Sequence, residues 1–278
     1  MSFRTRIAGA MAAAVAVTSL AVPTASAATG NLVTLGDSFS ANPDQFRNYT
    51  RAFNPAVFQG YPSTEGCLQA PNNWPRLLAD QTHRPLSDWS CTAQTSTTML
   101  GRLDRAIATG NVHNDSTVVI AVGMNNYGGF GVADGVNILD PGAVRDRYIS
   151  DIKAAAAKIR GVAPQAKIVI SGALPTVDRN TATFCALNVV PNAPAGVSIP
   201  LLRDVENWNR DNQRDAAAAI GARFVDMFPS AVGHDTCAPD AQRYVAGIID
   251  TTTPNYNMAF HPSQAGSQNM VNQLRPVV

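Results

Sequence analysis

The chain has 278 residues, 45% of them hydrophobic and 15% charged, enough to bury the core of one ordinary globular domain and too apolar for a disordered tail. Its formal charge of +1 becomes about −1 once the two arginines of an N-terminal leader are set aside, which leaves no footprint for a nucleic-acid partner or an anionic-lipid surface.

Residues 1–27 have the order of a secretory signal: Arg4 and Arg6, an apolar run from Ile7, then Ala25-Ser26-Ala27 as the cleavage tripeptide. The run is about 16 residues, short of the roughly 20 that cross a bilayer, so no stable membrane anchor is expected. The mature domain is read as 28–278. Its first strand is expected over Leu32 to Leu35, and it stops at Gly36-Asp37-Ser38. Helical spacing follows over Asn73 to Gln81 and Ser96 to Thr109, with a strand over Leu86 to Ser90 between them. Thr117 to Val122 and Lys167 to Ser171 are apolar throughout, the pattern of parallel strands buried on both faces. Pro141 opens a helix to about Arg160 and Pro200 opens another to about Gly221. A fifth strand is expected over Arg223 to Asp226, and a last helix follows Pro262 with Ala265, Met270 and Leu274 as buried candidates. Ala41 to Asn72, Val177 to Ile199 and Met227 to Phe260 are read as irregular. The βαβ rhythm predicts a single α/β domain of three layers around a mostly parallel five-stranded sheet. Ligands of such sheets bind beyond the carboxyl ends of the strands, which is where Ser38 falls.

A serine hydroxyl is a poor nucleophile without a base, so the four histidines matter. His83 and His113 sit in polar connections and His234 lies beside a cysteine, all consistent with surface roles. His261 stands at the start of the last helix, from which it can reach back over the sheet to the first strand. The four cysteines, Cys67, Cys91, Cys185 and Cys237, are even in number in a chain with an export leader, which implies two disulfides. Three pairings are open. Cys67 with Cys91 and Cys185 with Cys237 is favoured because each closes one local excursion between core elements. Paired metal-ligand spacings are missing, so no metal and no cofactor is expected.

Three blocks in order, "VTLGDSFS", "VGMNN" and "FHPSQAG", resemble the SGNH (GDSL-type) hydrolase family of secreted esterases and lipases, and the similarity covers essentially the whole mature chain. The disulfide-bonded actinobacterial branch is the more particular resemblance. It implies a flavodoxin-like α/β/α fold and ester hydrolysis through an acyl-enzyme. Carried onto this chain, Ser38 matches the nucleophile and, through its N–H, one oxyanion donor. Asn125 matches the side-chain donor and His261 the base. The family's second block offers a glycine N–H where this chain has Ala93, and its last block has an aspartate where this chain has Met258. The resemblance therefore implies a Ser-His pair with a main-chain carbonyl, that of Met258, orienting the imidazole, or else a carboxylate from elsewhere, Asp250 or Asp235.

The expected protein is a secreted monomer, extracellular or bound to the cell wall, that cleaves acyl esters of lipid, glycolipid, glycerol or sugar. A cell-wall carbohydrate O-deacetylase and an inactive binding module on the same fold are the alternatives. An apolar groove beside Ser38 would mark the esterase, a shallow polar and aromatic cleft the deacetylase.

Overall fold

The computed structural model describes residues 30–278, so the leader lies outside the described residues. Five strands, Leu32–Gly36 (β1), Leu86–Asp88 (β2), Thr117–Ala121 (β3), Lys167–Ser171 (β4) and Arg223–Val225 (β5), form one all-parallel sheet in the order β2-β1-β3-β4-β5. That order is the flavodoxin-like one, and it reverses between β1 and β3.

Alternation along each strand divides the core in two. The register aligns Val33 with Val118 and Ile168, and Leu35 with Ile120 and Ile170. These rows pack under Ser96–Ala108, Pro141–Val162 and Pro200–Ala219 through Leu103, Ile152 and Ala216. Val119 and Val169 face the other way, onto Trp74–Thr82 and Gln264–Leu274 through Trp74, Leu78, Met270 and Val271. Fully burying a Leu, Val or Ile contributes about 1.5–3 kcal/mol, so a strand apolar on both faces is held only in the middle of such a sandwich.

Local signals set the helix starts. Numbered in chain order, the α-helices are Ser38–Ala41 (α1), Gln45–Thr50 (α2), Trp74–Thr82 (α3), Ser96–Ala108 (α4), Gly129–Ala133 (α5), Pro141–Val162 (α6), Pro200–Ala219 (α7) and Gln264–Leu274 (α8). Asn73, Thr95, Asp140 and Ser263 each cap a helix by accepting a backbone N–H with the side chain. Pro141 and Pro200 occupy first-turn positions where no N–H is needed.

Three details depart from expectation. Val177 to Ile199 is not irregular: Thr183–Asn188 and Ala195–Ser198 form an antiparallel hairpin, and Ile249–Asp250 adds a third strand to it. Within Ala41 to Asn72, α2 forms because Asp44 caps Arg47 N–H at 2.8 Å. Ala265 is exposed, and the helix instead buries Gly266, where a Cβ would stand 2.2 Å from the Tyr244 carbonyl oxygen. The disulfides are Cys67–Cys91 and Cys185–Cys237, the favoured pairing.

Candidate active site

The end of β1 is built for a sharp change of direction. A Cβ on Gly36 would lie 2.3 Å from Ser40 Cβ, so only glycine lets the chain fold back this closely. Asp37 then starts α1: its side chain accepts from Phe39 N–H at 2.9 Å and its carbonyl from Ser40 and Ala41 N–H. Ser38 is thereby the first residue of the helix, with its N–H uncommitted among the described residues. Burial pushes the Asp37 carboxyl up to about 7, against the opposing pull of the Phe39 N–H.

Four segments meet at the carboxyl ends of β1 and β3. Ser38, Ala93, Asn125 and His261 line one cleft of about 490 Å³, together with Asn48, Tyr49, Arg51, Ala52, Thr92, Phe130 and Met258. That volume suits a small-molecule site. Asn125 Nδ2 donates one hydrogen to the Gln94 carbonyl at 2.9 Å, which fixes the amide and leaves its second hydrogen for a ligand. The neighbouring Asn126 is buried and clamps the loop to α4, accepting from Ser96 N–H and donating to Ser96 Oγ at 2.7 Å. Gly123 makes the preceding turn at φ 147°, where a Cβ would strike Asn209 Oδ1. Ala93 sits at φ 69°, in the left-handed region, and its N–H has no backbone partner among the described residues.

His261 is buried between Phe39, with ring centroids 5.1 Å apart, and the preceding Phe260. Burial pulls its pKa down to about 4, so the imidazole is neutral at ordinary pH. Nδ1 bonds the Ala259 carbonyl at 2.8 Å, which leaves Nε2 to face the reaction. Nε2 is buried and has no hydrogen-bond partner among the described residues, Ser38 Oγ included. An unpaired buried ring nitrogen is rare in a static role. Serine–base contacts of this kind often tighten only around substrate.

The orienting carbonyl is thus Ala259, not Met258. Phe260 holds φ 63°, and this left-handed turn brings the carbonyl two residues before the histidine onto its ring. Met258 lines the cleft instead. Neither suggested carboxylate reaches the imidazole. Asp250 accepts from Gly247, Thr253 and Asn188 and faces the buried Arg243 guanidinium at 3.6 Å, and Asp235 caps Cys237 N–H at 2.8 Å. His83, His113 and His234 are all outside the cleft.

Two positioning residues have no signature in the sequence. Gln45 Oε1 accepts from Ala259 N–H at 2.8 Å and so holds the peptide that orients His261. Asn42, left-handed at φ 40°, caps α1 and donates through Nδ2 to the Pro262 carbonyl at 2.9 Å. Together they stitch the nucleophile segment to the histidine segment. Among the described residues no acidic, histidine and cysteine groups cluster as a metal site, and no helix is long and apolar enough to cross a membrane.

A flavodoxin-like sheet with a serine at its switch point, a neutral histidine and free N–H donors is the architecture of an α/β acyl-transfer hydrolase. The chain belongs to the GDSL-like Lipase/Acylhydrolase family, whose model matches residues 34–268. It is 25% identical to Lipase 2 of Streptomyces coelicolor over 288 aligned positions, covering 94% of this chain and 90% of that one. Among solved structures it resembles phospholipase A1 from Streptomyces albidoflavus, with TM-score 0.59, 17% identity and coverage of 90% and 98% of the two chains. An extracellular lipase from Streptomyces rimosus matches with TM-score 0.55 at 17% identity, over 89% and 97%.

Proposed function

We propose that the protein is a secreted carboxylic ester hydrolase that cleaves acyl esters of lipid, glycerol or sugar through an acyl-enzyme on Ser38. The observation that carries this reading is the convergence in one cleft of Ser38, the unpaired His261 Nε2 and three uncommitted N–H donors. The leader-like residues 1–27 and the two disulfides support export.

His261 Nε2 takes the proton of Ser38 as Oγ attacks the ester carbonyl carbon. The imidazolium that forms keeps its Nδ1–H on the Ala259 carbonyl, which holds the ring in the tautomer the transfer needs. Charge builds on the former carbonyl oxygen, and the N–H groups of Ser38 and Ala93 with Asn125 Nδ2 are the donors for it. One such donor typically lowers the barrier by about 2.7–4 kcal/mol. The tetrahedral adduct collapses, the C–O bond breaks, and the alcohol leaves with the proton from Nε2. Water then attacks the acyl-Ser38 by the same route and releases the acid. Among the described residues no carboxylate bonds the His261 ring, so the neutral carbonyl carries the orienting role alone. Tyr49, Ala52, Phe130 and Met258 give the cleft apolar walls, which favours an acyl chain over a bare acetyl group.

Hydrolysis of p-nitrophenyl esters from acetate to palmitate by the purified chain tests the reading. Ser38→Ala is expected to lower kcat by at least about a thousandfold. The wild-type rate should fall on the acid side only near pH 4, where the buried His261 takes a proton. Equal rates in wild type and Ser38→Ala would end the proposal.

A further inference from the structure

The cleft that holds Ser38 and His261 contains a single permanently charged side chain among the described residues that line it, Arg51. His261 is neutral there, and the wall has no aspartate or glutamate. Arg51 follows α2, is half-buried, and spends Nη1 on its own helix: both Nη1 hydrogens go to Asn48, one to the carbonyl at 3.2 Å and one to Oδ1. A guanidinium carries five N–H donors, so three remain, on Nε and Nη2, and no carboxylate pairs with them among the described residues. The anchor is firm. Asn48 is buried, and its Oδ1 also accepts from Thr92 Oγ1 at 3.2 Å, next to the N–H of Ala93. The guanidinium is therefore tied through one side chain to the loop that flanks the reacting centre.

The same segment offers an apolar surface beside that charge. Phe46, Tyr49 and Phe53, spaced three and four residues apart, are 69%, 62% and 76% exposed, and Phe130 across the cleft is 51% exposed. Tyr49 and Phe130 line the cleft itself, and Phe46 and Phe53 flank Tyr49 in the same segment. Large aromatics left in water beside a cationic fork fit a ligand with one apolar and one anionic part.

We propose that Arg51 is the anion subsite of the cleft and that the preferred substrate is an amphiphilic ester bearing a phosphate group, its chain laid along Tyr49 and Phe130. This rests on the esterase reading and adds the substrate class to it. A planar fork with free parallel N–H groups suits phosphate oxygens better than a neutral glycerol or sugar hydroxyl. The near-zero net charge of the chain does not oppose this, because the preference comes from one local charge and not from the overall field.

The test compares lauroyl-lysophosphatidylglycerol with monolauroylglycerol, presented in the same neutral detergent micelles. Wild type is expected to show the higher kcat/KM on the anionic ester. Arg51→Ala should lower the anionic-to-neutral ratio by about ten- to a hundredfold, mainly through KM, the range of a charge-assisted hydrogen bond. Arg51→Lys should recover part of it as a point charge without the fork. A ratio unchanged in Arg51→Ala would overturn the subsite. Calorimetric binding of octyl phosphate and octyl glucoside to Ser38→Ala separates this result from the fate of the esterase reading. Binding of octyl phosphate that Arg51→Ala abolishes, in a protein that hydrolyses no ester, would keep the subsite and discard the esterase. Ester hydrolysis with equal, Arg51-independent binding of the two amphiphiles would do the reverse. Variants are compared only where the unfolding midpoint matches the wild type.

Discussion

Besides the helix-capping Asn42, two residues of the site hold the left-handed backbone without being glycine, Ala93 at φ 69° and Phe260 at φ 63°. A Cβ in that region costs about 1–2 kcal/mol, and a bulky residue there is an outlier. Both lie at the cleft's edge: Ala93 lines it, and the turn at Phe260 brings the carbonyl of Ala259 onto His261. Phe260 is held against its strain by edge contacts with Phe39 and Phe184 and by its N–H on the Gly247 carbonyl at 3.0 Å. Ala93 has no such packing, and relieving it should be simple. Ala93→Gly is expected to stabilise the protein by up to about 1 kcal/mol in urea unfolding while keeping ester hydrolysis within a few-fold of wild type, because the donor is main chain. A loss of stability on that change would show that the alanine conformer is unstrained. Ser38, Asn125 and His261 were legible because each is a side chain in a recognisable block. The Ala259 carbonyl and Gln45 were not. A main-chain acceptor leaves no mark on the sequence, and the glutamine works only through a loop whose path the sequence does not show.

At the scale of elements, the histidine arm is braced from outside the main sheet. The hairpin Thr183–Asn188 and Ala195–Ser198 places Phe184 against Phe260, and Cys185–Cys237 ties that hairpin to the loop before the histidine. Asp250 closes the bracket. It is buried, accepts from Gly247, Thr252 and Thr253 N–H and from Asn188 Nδ2, and pairs with the buried Arg243; burial pushes its carboxyl up, but these hydrogen bonds outweigh it and hold the pKa below the usual value. Asp250→Ala leaves Arg243 without that partner in the interior, and a loss of about 3–5 kcal/mol is expected in urea unfolding. A change under 1 kcal/mol would mean that the other acceptors of the guanidinium, Asp240 at 3.0 Å, the Thr252 and Thr253 hydroxyls and the Ala238 carbonyl, satisfy it without Asp250. The three central strands, Leu32–Gly36, Thr117–Ala121 and Lys167–Ser171, could be read from their apolar runs, since burial on both faces has a clear signature, whereas the edge strands Leu86–Asp88 and Arg223–Val225 are short and only partly buried. This hairpin could not, because Ala195–Ser198 is exposed at every position and carries no alternation. Its pairing is set by contacts distant in sequence.

Across the whole molecule, Asp37 and Glu206 work together, and against the histidine, as pH changes. Asp37 and Glu206 are both raised to about 7 by burial. A carboxyl with a raised folded pKa binds its proton more tightly in the native state, so its contribution to stability is lost as pH rises from about 4 to about 7. His261, depressed to about 4, has the opposite sign: the unfolded chain binds the extra proton, and stability rises between about pH 4 and 6.5. Replacing one group isolates its share. The stability of Asp37→Asn relative to wild type is expected to improve by about 2–3 kcal/mol between pH 5 and pH 8 in urea unfolding. A difference that does not vary with pH would mean that Asp37 stays ionised in the fold.

The site also has a history within each molecule. Its parts come from the first strand, the loop after the second, the loop after the third and the turn before the last helix, and the histidine joins the other three only once that helix has docked. A chain still leaving the ribosome has its serine in place and no base beside it. Under the proposed esterase reading, hydrolysis begins in one step, at the completion of folding.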